Sequence, residues 1–157
     1  DDIYSVHPFG NTMCVIRVTG QQVLDALEWG ARAVPSENGG FLQVSGLTYE
    51  IHTGVASSAE KDENGMFTRV SGEYRVKNVM VGGQPLELDK TYTLASHNYM
   101  LLGHGDGYTM FDGCEVLGED MMVDNQVLIT YITTTLGGVV GEQYANPYGD
   151  GRIVAVE

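Results

Sequence analysis

The stretch "NYMLLGHGDGYTMF", residues 98–111, sets glycines, one acid, one histidine and several aromatics between apolar neighbours. Glycines at such spacing suggest a phosphate-cradling loop, but a P-loop needs a Lys and a Ser/Thr after them, and "GHGDGY" supplies neither. A dinucleotide fingerprint needs G-x-G-x-x-G, whereas this run gives G-x-G-x-G with an acid where phosphate would be repelled. Metal chemistry fares no better. His7, His52, His97 and His104 form no H-x-x-x-H pair, and "DENG" at residues 62–65 has only part of a calcium loop and no distal Glu. Nucleophilic acyl or phosphoryl chemistry on a serine would call for an elbow of the G-x-S-x-G kind, which the chain lacks.

One kind of site remains. Asp106 lies between Gly105 and Gly107, so its carboxylate has little steric cover and suits the vicinal hydroxyls of a sugar. Tyr99, just upstream after Asn98, is a ring able to stack on a flat heterocycle, and "NGGFLQVSG" offers a second ring, Phe41, after a glycine pair. The same residue types also fit two core aromatics and an ordinary turn aspartate, so residue chemistry alone leaves both readings open.

Local patterns indicate what must position these residues. "MCVIRV", residues 13–18, reads as a strand, and "TGQQVLDALEWGARAV" as a helix with Thr19 and Gln22 in capping-box positions. Val23, Leu27, Ala31 and Val34 recur at helical spacing up to Pro35. "LTYEIHT" alternates, with Leu47, Tyr49 and Ile51 on one face and Thr48, Glu50 and His52 on the other. "GVASSAEKDENGMFTRVSGE" reads as a polar excursion. "YRVKNVMVGGQPLEL" reads as a hairpin turning at Gly82-Gly83, and "TYTLAS" as a strand leading into the 98–111 stretch. Further on, "DNQVLITYITTTLGG" suggests a helix capped by Asp124 and ended by Gly137-Gly138, with its β-branched residues leaving a strand open, and "RIVAVE" suggests a closing edge strand. With no internal repeat, low-complexity tract or linker, the expected architecture is one α+β domain over residues 1–157, mixed sheet or sheets with a few packing helices.

Composition narrows the partners. A net charge of −13 with only 8 Lys+Arg opposes binding to nucleic acid phosphates or anionic membranes. No apolar run reaches the ~20 residues of a spanning helix, and "DDIYSVHPFG" has neither the basic flank nor the apolar core of a signal peptide. Without an initiator Met, the chain is expected to be a mature or excised piece of something longer. Glycine, 21 of 157 residues, stands at roughly twice its usual share of about 7%, which implies many turns and close backbone approaches. Cys14 and Cys114 permit at most one internal disulfide and do not decide the redox compartment.

Taken in order, "HPFGNTMCVIRVTGQQVLDALE", "GGFLQVSGLTYEI", "NVMVGGQPLELDKTYTLASHNYMLLGHGDGYTMF" and "DGRIVAVE" resemble the C-terminal domain of the 5'-nucleotidase family, secreted or periplasmic two-domain metallophosphoesterases. The resemblance spans nearly the whole chain. It implies that two aromatics hold a nucleobase, Phe41 in the G-x-F-x-Q-V-x-G segment and Tyr99 after Asn98, while Asp106 between Gly105 and Gly107 accepts the ribose hydroxyls. It differs at one place: the family pattern N-F-x-x-x-G-G-D-G has one residue fewer than "NYMLLGHGDG", where His104 intervenes and Met100 holds the nominal ring spacing.

The resemblance further implies that two divalent metal ions and the catalytic His-Asp pair belong to a catalytic domain preceding residue 1, so this chain alone is expected to be inactive and cofactor-free. Its partners would be a nucleotide or nucleoside and its own N-terminal catalytic domain, in an extracellular, cell-wall-associated or periplasmic setting. Rival expectations are a parent acting on 2',3'-cyclic nucleotides, nucleotide sugars or dinucleotides, a non-catalytic nucleoside-binding module, and a structural cell-surface spacer with both rings buried.

Overall fold

A computed structural model of the chain describes residues 2–157. After a short helix α1 (Asp2–Val6), strand β1 (Met13–Thr19) alternates so that Cys14, Ile16 and Val18 are buried while Arg17 and Thr19 face out. Thr19 then caps helix α2 (Gly20–Ala31): its Oγ1 accepts from the Gln22 N–H at 3.2 Å, and the Gln22 side chain accepts from the Thr19 N–H at 2.8 Å. This is the expected capping box, in which two otherwise orphaned backbone donors are satisfied reciprocally. The helix buries Val23, Ala26, Leu27 and Trp29, and stops at Ala31, three residues short of Val34, whose N–H closes a turn onto the Ala31 carbonyl.

The strands form three sheets. In the first, β1 pairs antiparallel with both β7 (Thr91–His97) and β8 (Glu115–Gly118), giving the order β7-β1-β8. In the second, β2 (Leu47–His52) lies between β5 (Val76–Val81) and β9 (Ile153–Val156), with β6 (Gln84–Pro85) at the far edge. Tyr49 and Ile51 point into the core as their alternation requires, and β9 is an edge strand, parallel to β2. Gly82 and Gly83, with φ of 57° and 79°, make the β5–β6 turn, where both central residues need a conformation costly for residues with a Cβ.

Two expectations change, and one strand was not foreseen. The supposed polar excursion contains an antiparallel hairpin, β3 (Ala59–Lys61) and β4 (Phe67–Val70), whose "DENG" corner is a turn in which Asp62 Oδ1 accepts from the Asn64 and Met66 N–H groups. Phe67 carries this hairpin into the core, its ring edge-on to Trp29 at 5.7 Å. Asp124 is the first residue of helix α3 (Asp124–Thr130) rather than its cap; the cap position is Val123, and the helix widens into a π turn over Tyr131–Thr135. Strand β8 gave no signal because its residues are mostly exposed and do not alternate.

Helix α2 is locked to the second sheet by a buried carboxylate. Glu28 Oε2 accepts from the Val76 N–H at 2.9 Å, and burial pushes the Glu28 carboxyl up from its ordinary value against the pull of that bond. Beside it, buried Arg75 donates to the carbonyls of Ala31 and Val34, satisfying the end of α2. Both cysteines are free thiols, Cys14 in the core and Cys114 accepting from Gln22 Nε2 at 3.3 Å. Among the described residues no helix is long and apolar enough to cross a membrane.

Candidate functional site

The end of α2 organises the site. Asn38, in the loop that follows, donates from its side chain to the Gly30 carbonyl at 3.1 Å and accepts from the Gly40 N–H at 3.2 Å, which fixes residues 38–41 against the helix. Phe41 follows, half-buried and packed against the core. From beneath, Trp29 donates its indole N–H to the Asp106 carbonyl at 2.9 Å, and Tyr108 donates its hydroxyl to the Gly40 carbonyl. The two glycine-rich segments, 65 residues apart in sequence between Phe41 and Asp106, are therefore tied together by buried bonds rather than merely adjacent.

Asp106 sits at the top of this arrangement. It is exposed, with φ 54° and ψ 19°, inside a 3-10 turn (Gly105–Gly107). His104 before it is also left-handed, at φ 53°, and Gly107 after it at φ 85°. Two non-glycine residues in that region within three positions mark stored backbone strain, tolerated best by short polar side chains such as Asp. His104 lies at the start of this turn, and Asp106 within it rests beside Gly40. A Cβ added at Gly40 would lie 3.0 Å from the Asp106 Cβ and 3.4 Å from its Oδ2, so the carboxylate rests directly on the bare backbone preceding Phe41. Arg32, whose guanidinium lies 3.7 Å over the Trp29 ring, has its charge disfavoured by partial burial and supported by Tyr108 and Asp106.

Tyr99 is 49% exposed, whereas Met100 is 8% exposed and belongs to the core. The exposed ring is therefore Tyr99, despite its longer spacing. Its placement depends on Gly105: an added Cβ there would fall 2.2 Å from Tyr99 Cε1 and 2.4 Å from Cδ1 and Cζ, so the ring lies against bare backbone. Gly105→Ala is expected to swing the ring away at little cost in stability, since a half-exposed side chain can move. Shifted Tyr99 ring resonances with a urea midpoint near that of the parent chain would show this. Gly107 is tight for another reason: a Cβ would meet the Gly65 carbonyl and the Trp29 ring, both at 2.9 Å. Asn98 anchors the base of the turn, its Oδ1 accepting from the Thr12 N–H at 3.1 Å and the Tyr99 N–H at 2.9 Å. His104 Nε2 lies 3.9 Å from exposed Asp112 Oδ1.

The Asp106 side chain thus lies against Gly40, the neighbour of Phe41, and the Tyr99 ring lies against Gly105, the neighbour of Asp106. The cleft beside Phe41 has a wall that sequence reasoning missed. Its volume is about 580 Å³, and it runs from Phe41, Gln43 and Val44 to residues 143–153; Tyr99 and Asp106 lie outside its lining. The only signal in the sequence was a clustering of Tyr144, Tyr148 and amide residues before the closing strand. Among the described residues no three His, Cys, Asp or Glu side chains gather as a metal site, and the residues of this loop cluster would not hold a dinuclear centre.

Fold and loops together define an α+β domain in which side chains suited to stacking and hydrogen-bond acceptance sit on loops held by a sheet-and-helix frame. Residues 1–113 match the family described as 5'-nucleotidase, C-terminal domain. The chain belongs to that family. It is 31% identical over 155 residues to the trifunctional nucleotide phosphoesterase protein YfkN of Bacillus subtilis, covering 99% of this chain and 9% of that protein. It is 30% identical over 129 residues to the cell wall protein Lmo0130 of Listeria monocytogenes, covering 82% of this chain and 14% of that one. Among solved structures, a 5'-nucleotidase precursor from Thermus thermophilus superimposes with a TM-score of 0.76 at 30% identity, over 98% of this chain and 27% of the other. The chain therefore spans a small fraction of the length of these relatives.

Proposed function

We propose that this chain is the substrate-recognition domain of an exported 5'-nucleotidase-type phosphohydrolase, with a nucleobase held by Phe41 and Tyr99 and the ribose hydroxyls by Asp106. The observation that carries this reading is the convergence on Asp106: an exposed carboxylate in a strained turn, with bare backbone on each side leading to one ring. Both rings buried away from solvent would have favoured a structural spacer, and Tyr99 is half exposed. Gly40 and Gly105 let the Asp106 side chain and the Tyr99 ring pack on bare backbone, while Asn98 and Gly107 fix the turn.

Hydrolysis of the phosphate ester belongs, in this reading, to a metallophosphoesterase domain preceding residue 1, where two divalent metal ions would supply an activated water and Lewis-acid contacts to phosphoryl oxygen. The residues present here bind and orient. Two stacking contacts contribute about 1–3 kcal/mol each, and hydroxyl bonds to a carboxylate about 1.5–3. Several kcal/mol of association entropy oppose them. The net for the isolated domain is near −4 kcal/mol, about millimolar affinity. A wall or periplasmic location for the parent accords with the wall protein among the relatives.

In the full-length protein, Asp106→Ala is expected to raise KM for a ribonucleotide about tenfold or more, and to abolish any preference over the matching 2',3'-dideoxynucleotide, which lacks both hydroxyls. Steady-state kinetics on the two substrates checks this; an undiminished preference in the variant would remove Asp106 from the ribose.

A further inference from the structure

The cleft beside Phe41 extends the grip in a definite direction. Asp106 rests on Gly40, Phe41 comes next, and Gln43 and Val44 already line the cleft. A nucleoside whose ribose meets Asp106 and whose base lies on Phe41 therefore directs the far edge of that base into the cleft. At about 580 Å³ the cleft is within the range that ligand sites occupy, roughly 300–1,000 Å³.

Its outer wall, residues 143–153, is held in place. Strand β9 pairs with β2, the Tyr49 N–H donates to the Arg152 carbonyl at 2.9 Å, and Arg152 Nη1 donates to the Val44 carbonyl at 2.7 Å across the base of the cleft. Asn146 spends its amide on a turn, accepting from the Tyr148 N–H and donating to the Gly149 carbonyl. Asp150 is paired with Arg152 Nε at 2.6 Å, so in a chain of net charge −13 this cleft presents a neutral lining. Three groups in the lining are left uncommitted among the described residues. The side-chain amides of Gln43 and Gln143 have no hydrogen-bond partner, and the Tyr148 ring is 95% exposed at the mouth. A glutamine amide donates and accepts side by side, which matches the N6/N7 edge of adenine. A single-ring pyrimidine has no fused second ring to carry such an edge past Phe41.

We propose that residues 143–152 form the base-specificity wall of this site, with Gln143 reading the N6/N7 edge of adenine and Tyr148 covering it, so that the domain favours adenine over pyrimidine nucleotides. This rests on the base lying at Phe41, and the test keeps the two apart.

KM and kcat of the full-length protein are measured for the purine nucleotide adenosine monophosphate, a pyrimidine nucleoside monophosphate and p-nitrophenyl phosphate, for the parent and for Gln143→Ala, Tyr148→Ala and Phe41→Ala. Gln143 and Tyr148 are exposed, so neither replacement threatens the fold. Expected is a purine KM raised about fivefold or more by Tyr148→Ala, a smaller rise by Gln143→Ala, unchanged kcat, and unchanged KM for the other two substrates. Equal changes on all three substrates, or none on the purine, would overturn the wall. If Phe41→Ala alone raises the nucleotide KM, the wall fails while the base site stands; if Phe41→Ala too leaves it unchanged, both fail.

Discussion

Trp29→Ala is expected to lower the folding stability of the chain by about 3–5 kcal/mol, the usual cost of emptying a large aromatic site in a core. Trp29 is 1% exposed and packs edge-on to Phe67, so its loss leaves a cavity between helix α2 and the β3–β4 hairpin. It also supports the site, through its indole bond to the Asp106 carbonyl and its contact with the position beside Gly107. Denaturant unfolding of parent and variant measures the stability. Hydrogen exchange at residues 104–108 measures the second role: protection there should fall further than in strand β1, which Trp29 does not bond. A loss below about 1 kcal/mol would mean that the indole is not the pillar of this loop cluster.

Phe41→Ala is the larger functional effect. Removing one face of the base contact, about 1–3 kcal/mol, should raise the nucleotide KM of the full-length protein by between about five- and 150-fold. Turnover should change far less, because a ring stacked on the base as proposed would contact it in the ground state and the transition state alike. Phe41 is half-buried against the core, so part of its replacement is felt in folding; unfolding curves of the variant separate that share. An unchanged KM in a folded variant would take the base away from Phe41.

Much of the frame was legible in the sequence because local chemistry and tertiary packing agree there. Thr19 and Gln22 cap α2, Gly82-Gly83 turn the hairpin, and Tyr49 and Ile51 alternate into the core. The hairpin β3–β4 was hidden because its strands are short, with Phe67 buried and Ala59 and Val70 only partly so. The site was legible as residue types but not as an arrangement. Nothing in the sequence says that Tyr108 bonds the Gly40 carbonyl or that Gly105 lies under the Tyr99 ring, since these are contacts between distant segments. Spacing likewise could not say which of Tyr99 and Met100 is exposed; in the structure Tyr99 is exposed and Met100 is buried. The wall at residues 143–152 carried no motif, and its relation to Phe41 follows from the parallel pairing of β9 with β2.

The most direct measurement is a titration of the isotope-labelled 157-residue chain with adenosine, followed by nuclear magnetic resonance up to concentrations above about 1 mM. A grip on base and ribose requires saturable shifts at the backbone amides of Phe41, Tyr99 and Asp106, absent from the strands of the first sheet. A folded chain with no shifts at those three residues, or with shifts gathered on a different face, would contradict it.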